Sequence, residues 1–155
     1  MELTDILSEE SVIYCTDVTT KSELLRIMAA RAAQLTGEDQ RTILDAVEGR
    51  EAMGSTGLGN GIAIPHGKLA GLPGVTAVFA RLARPIEFDA VDDQPVDLVM
   101  MLLAPLGSGA DHLRALALVA RILRTEPVLE RLRAVDDTRG LYELLIQPLA
   151  THQAA

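Results

Sequence analysis

The chain has 155 residues, a length that fits one domain with room for a sizeable core. Its 22 acidic and 14 basic side chains leave a net charge of −8, which argues against non-specific nucleic-acid binding and suits basic partners. Aromatic residues make up 3% and tryptophan is absent, so the core must be aliphatic. No stretch reaches the ~18 uninterrupted apolar residues of a membrane helix, so no membrane insertion is expected.

The acidic start "MELTDILSEE" lacks the basic opening of a signal peptide, and the single Cys15 cannot form an internal disulfide. Both point to the cytoplasm. Cys15 follows "VIY" in a segment that reads as buried, where thiols are inert, so a cysteine hydrolase is the weakest reading. Thr20 and Glu23 stand at capping-box spacing and open a first helix that runs to about Leu35 and stops at Gly37. A second helix starts near Asp39, carries Ile43, Leu44 and Val47 on one face, and ends near Ala52, which puts Arg50 in its last turn. Strands follow: a short "GIAIP", then "VTAVFARL" at 75–82, then "PIEFDAV" closed by the turn-like "DDQP". The run "VDLVMMLLAP" is apolar on both faces, as a central strand must be.

Pro105 and Gly107 break that strand. "SGADHLRALALVARILR" predicts a helix, with Ser108 or Asp111 as its cap and Leu113, Leu116, Ala117, Ala120 and Leu123 on its buried stripe. Pro127 is expected to open a further helix as its first residue. Asp136 or Asp137 caps a last one, which ends before Pro148 and leaves a tail over 147–155 that contains His152. Helices flanking a block of strands predict a single α/β domain over 1–155, with a core of about 4–146 and a mixed β-sheet sandwiched between helices.

The most informative stretch is "REAMGSTGLGNGIAIPH", residues 50–66. Four glycines fall between Gly54 and Gly61. The spacing fits neither G-x-x-x-x-G-K-[ST] nor G-x-G-x-x-G, so neither common nucleotide loop is present. Glycines let successive amides turn inward as an anion nest, here Gly57, Gly59 and Gly61, with the hydroxyls of Ser55 and Thr56 beside them. Arg50 offers a planar fork for phosphate, and His66 is a nucleophile largely unprotonated at neutral pH. Nest, arginine and histidine together read as a phosphohistidine site. His112 falls in the first turn of a predicted helix, where the dipole favours a phosphate and a neutral imidazole.

At these residues the sequence resembles the enzyme IIA proteins of the bacterial phosphotransferase system, of the fructose/mannitol/nitrogen type. The segment "REAMGSTGLGNGIAIPHGK" agrees with that family's active-site signature from Arg50 to His66, and "DHLRAL" is similar to its second histidine segment. The resemblance covers residues 4 to 146. It implies that His66 is phosphorylated, that His112 and Arg50 hold the phosphoryl group, and that the donor is a phosphorylated HPr-like carrier. No cofactor and no metal are implied. "FDAVDDQPVDL" resembles the nitrogen-regulatory branch, which moves no sugar and acts on regulatory proteins such as potassium transporters or sensor kinases.

Two other readings remain open. A sugar-specific member would pass its phosphate to a IIB domain. A non-catalytic protein would hold a metal or anion between His66 and His112, with Asp111 as a third ligand, although no H-x-x-x-H or C-x-x-C spacing supports it.

Overall fold

The computed structural model describes residues 1–148. His152 and the rest of the expected tail beyond Pro148 lie outside the described residues. Among the described residues six strands form one mixed sheet, with five α-helices around it. The strands are β1 (Val12–Cys15), β2 (Gly57–Gly59), β3 (Ile62–Ala63), β4 (His66–Leu69), β5 (Thr76–Ile86) and β6 (Val96–Pro105). The helices are α1 (Lys21–Thr36), α2 (Gln40–Glu51), α3 (Gly109–Leu123), α4 (Glu126–Arg133) and α5 (Thr138–Ile146).

The sheet order is β1-β5-β6-β3-β2, and β4 also pairs with β6. β1 runs parallel to β5, β5 antiparallel to β6, and β3 and β4 parallel to β6. β6 is therefore central, and its alternation divides the core. Val99, Met101 and Leu103 face Leu24, Met28, Ile43 and Val47 of α1 and α2. Leu98, Met100 and Leu102 face Val119, Leu123, Leu132 and Leu141 of α3, α4 and α5. These six β6 side chains are fully buried, which is why the strand carries no polar face.

Local chemistry sets the helix ends. The Thr20 hydroxyl accepts the Glu23 amide (3.1 Å), and Gly37 closes α1 in the left-handed region (φ 78°). Asp39 accepts the Thr42 amide (3.0 Å) at the start of α2. At the start of α5 it is Asp137, not Asp136, that caps, by accepting the Gly140 amide (2.7 Å).

Several expectations need correction. β1 is an unforeseen strand. "PIEFDAV" forms no strand of its own, because β5 continues through Pro85 to Ile86 and Phe88 then packs fully buried in irregular backbone. Pro127 is the second residue of α4 rather than the first. The stripe expected on α3 is rotated: Leu113 is 67% exposed and Ala117 is exposed, while His112, Ala115, Val119, Ile122 and Leu123 are buried. Ser108 occupies the cap position of α3, yet its hydroxyl donates to the Pro105 carbonyl (2.9 Å) and leaves the helix amides alone.

β3 and β4 lie end to end along one edge of β6 in a single register, Ile62 opposite Leu98 and His66 opposite Leu102. The break between them is Ile64–Pro65. Proline has no amide to give the ladder, but its carbonyl still accepts the Leu102 amide (2.9 Å). His66 thus enters the sheet immediately after a pinned interruption.

Candidate functional site

His66 opens β4, and its Nδ1 lies 2.9 Å from the Ile64 carbonyl oxygen. A carbonyl only accepts, so Nδ1 carries the proton and donates, which leaves Nε2 as the ring nitrogen with a free lone pair. The His112 ring stands 5.3 Å away, centroid to centroid, tilted by 51°. It is buried to 7% exposure, and its Nδ1 makes no hydrogen bond. Burial first, then the neighbouring charges of His66 and Lys68, push the His112 pKa below its ordinary 6.5. His112 is therefore neutral at physiological pH and retains one ring donor. It sits on the first turn of α3, whose uncapped amides supply partial positive charge.

The glycine stretch is a folded object rather than an open nest. β2 and β3 form a hairpin closed by Asn60 (φ 58°) and Gly61 (φ 80°), the two left-handed residues of a tight turn. The Asn-Gly pair was the sequence signal for it. The chain itself consumes amides of the stretch. Gly54 donates to the Glu51 carbonyl (3.1 Å), Thr56 to the Glu51 carboxylate (3.2 Å), Gly57 to Ser55 Oγ (3.0 Å) and Asn60 to Asp92 Oδ2 (3.0 Å).

The hydroxyls are engaged too. Ser55 donates to the Phe88 carbonyl (2.7 Å), and Thr56, itself buried, donates to Glu51 Oε1. Of the donors expected to face a bound anion, the Thr56 hydroxyl goes to Glu51, the Ser55 hydroxyl to Phe88 and the Gly57 amide to Ser55, while Asp92 takes the neighbouring Asn60 amide. Amides of Gln94 and Asn60 hold the Asp92 carboxyl below its ordinary value, so it stays charged. A side chain at Gly57 would meet Ala90 at 2.7 Å, and one at Gly61 would collide with Arg133. Arg133 clamps the hairpin to α4, donating to the Asn60 carbonyl (2.6 Å) and to both oxygens of Asp97.

Arg50, in the last turn of α2, donates Nη1 to the Gly54 carbonyl (2.8 Å) and so braces the entry to the hairpin. Asp111 is exposed and turned to Arg114 (3.1 Å), which removes the third ligand of the metal reading. Among the described residues no group of three or more His, Cys, Asp or Glu side chains could hold a metal ion. Cys15 is buried and burial pushes its thiol up, so it is no nucleophile. No helix among the described residues is long and apolar enough to cross a membrane.

Comparison with known proteins shows the family. Residues 5–147 match the family "Phosphoenolpyruvate-dependent sugar phosphotransferase system, EIIA 2". The chain belongs to the EIIA 2 family. A nitrogen regulatory protein of Bradyrhizobium diazoefficiens is 46% identical over 151 residues, covering 97% of this chain and 99% of that one. The nitrogen regulatory protein of Escherichia coli is 38% identical over 156 residues, covering 100% and 96%. The crystal structure of the nitrogen regulatory protein IIA-Ntr from Neisseria meningitidis superposes with a TM-score of 0.86 at 30% identity, covering 92% of this chain and 98% of that one.

Three residues of this EIIA domain were given no role by the sequence reading, Glu51 among them although it lies within the signature from Arg50 to His66. Lys68 follows His66 at period two on β4, exposed where Gly67 and Leu69 are buried, and its charge reaches His112. The spacing H-x-K on a strand was its signal. Glu51 and Lys21 form a largely buried ion pair (2.8 Å) beneath the hairpin. Nothing local to Lys21 announced that partnership.

Proposed function

We propose that this EIIA domain is a phosphohistidine carrier of the nitrogen-regulatory kind, with His66 as acceptor. The observation that carries the reading is the fixed tautomer of His66 beside a buried, neutral His112. The Nε2 lone pair attacks phosphorus on a phosphorylated imidazole of a donor protein. The new P–Nε2 bond forms as the donor's P–N bond breaks, and the donor ring leaves with its electron pair. The His66 proton does not move: it stays on Nδ1, hydrogen-bonded to the Ile64 carbonyl, whose dipole also stabilises the positive charge that builds on the ring. His112 donates to a phosphoryl oxygen and Arg50 places the group. Ser55, Thr56, Gly57, Gly59 and Gly61 shape the hairpin that holds these parts in place.

The donor is an HPr-like carrier, and the readers of the phosphorylated and free forms are regulatory proteins such as potassium transporters or sensor kinases. Five large apolar side chains stand exposed on segments that build the site: Met53, Leu58, Val91, Leu106 and Leu113. Exposed apolar side chains on such segments suit protein docking. The free thiol of Cys15 supports a cytoplasmic setting. The family's description as a sugar system favours a second reading, transfer to a IIB domain.

The test is incubation with enzyme I, the HPr-like carrier and phosphoenolpyruvate, then mass spectrometry for an acid-labile phosphate on His66. His66→Ala is expected to remove the label while staying folded. Labelling that survives in this variant overturns the assignment. Onward transfer to a IIB domain decides for the second reading.

A further inference from the structure

The ion pair under the hairpin connects to the acceptor ring by an unbroken series of contacts. Lys21 opens α1 and bonds Glu51 Oε2 at 2.8 Å, while its ammonium lies 4.4 Å from the centre of the buried Phe88 ring. Glu51, 5% exposed, closes α2 and receives both the amide and the hydroxyl of Thr56. The Thr56 carbonyl accepts the Ile64 amide at 3.1 Å. The other side of Ile64, its carbonyl, accepts Nδ1–H of His66 at 2.9 Å. Every donor in the series has one acceptor, and the carboxylate lies at its origin. A buried carboxylate held this way costs solvation, which the ammonium and two Thr56 donors offset.

This arrangement bears on chemistry because Ile64 stands at the break between β3 and β4. Ile64 itself is free of the ladder on β6: the Thr56 carbonyl holds its amide, and its own carbonyl, in the next peptide, is left to His66. A change in the Ile64 backbone torsions would turn the Ile64–Pro65 carbonyl and withdraw the acceptor from Nδ1. The ring would then populate the other tautomer, with the proton on Nε2, which is not nucleophilic.

We propose that Glu51, charged and paired with Lys21, is a positioning residue: through Thr56 and Ile64 it holds His66 in the Nδ1–H tautomer and so keeps Nε2 available. The inference rests on His66 being the acceptor, but its central claim, the tautomer, is measurable without any transfer.

The experiment compares wild type with Glu51→Gln, Thr56→Val, Lys21→Met and Lys21→Arg in the full chain. Nitrogen-15 NMR of the His66 ring reports the tautomer, and single-turnover phosphorylation from the HPr-like carrier reports the rate. Wild type is expected to show Nδ1–H alone. Glu51→Gln, Thr56→Val and Lys21→Met are expected to show mixed tautomers and a rate lower by about 10–100-fold, with dispersed amide spectra that prove folding. Lys21→Arg keeps the cation and is expected to restore both readouts. Folded Glu51→Gln or Thr56→Val with a wild-type tautomer overturns the proposal, as does a mixed tautomer in wild type. Should Glu51→Gln fail to fold, Thr56→Val against Lys21→Arg decides by the same two readouts. If wild type takes no phosphate on His66, the carrier reading falls, and the tautomer shift still decides the role of Glu51.

Discussion

His66 and His112 face each other at 5.3 Å with only one of them buried, and that asymmetry divides their work. The half-exposed ring is held by its Nδ1 and can meet a partner, whereas the buried ring is neutral and unbonded at Nδ1. His112→Ala is expected to accept phosphate on His66 more slowly, by about 10²–10³-fold, the usual loss when one donor to a developing charge is removed. Rapid-quench phosphorylation measures this. Wild-type rates in the variant would leave His112 a core residue and nothing more.

The depressed pKa of His112 also predicts a pH dependence of stability. In the unfolded chain the imidazole returns to its ordinary 6.5, so the unfolded state binds the proton more tightly than the folded one. Stability from this group is complete above about pH 6.5 and declines as pH falls below it, until the folded ring itself protonates. Urea midpoints of wild type between pH 7.5 and 5 are expected to fall more steeply than those of His112→Gln. Equal slopes would contradict the assignment.

Arg50 reaches Gly54 through a single guanidinium nitrogen, which leaves the rest of its fork available. Arg50→Lys keeps the charge and loses the planar geometry. Transfer is expected to slow by up to about 10²-fold with stability little changed, because the bond lost is at the surface. Parallel measurement of single-turnover rate and melting temperature checks this; a rate equal to wild type would remove Arg50 from the site.

Gly61 is one position where the hairpin leaves no room for a side chain. Its φ of 80° strains any L-residue, and a Cβ would collide with Arg133 and lie 2.8 Å from Asp97. Gly61→Ala is expected to destabilise by at least about 1–2 kcal/mol. Gly74→Ala, with open space around it, serves as the neutral control in the same urea titration.

The sequence disclosed what is settled locally. The Thr20 and Asp39 caps, the Gly37 stop and the β6 run all depend on neighbours a few residues away, and all are present. β1 was missed because four residues, Val12–Cys15, gain strand character only from parallel pairing with β5, far along the chain. The face of α3 was misjudged because leucines were counted and a histidine was not. Leu113 turns outward, while His112 turns inward and is tolerated there at a cost in solvation. His66 and His112, 5.3 Å apart in the fold, were readable as a pair, but the destination of the loop amides was not. Asp92 reaches Asn60 across 32 residues, and no local pattern forecasts that approach.

The single register shared by β3 and β4 has a consequence for how a modified state is sensed. His66 is fixed by main-chain pairing to Leu102 of β6, whose amide also pins the preceding Pro65 carbonyl, so its backbone has little room to respond to a new group on its ring. In the proposed carrier, the phosphorylated and free forms therefore differ in local field far more than in shape. A reader that separates them by charge works against counterions, and its discrimination is expected to shrink as ionic strength shortens the Debye length from about 10 Å at 0.1 M to about 3 Å at 1 M.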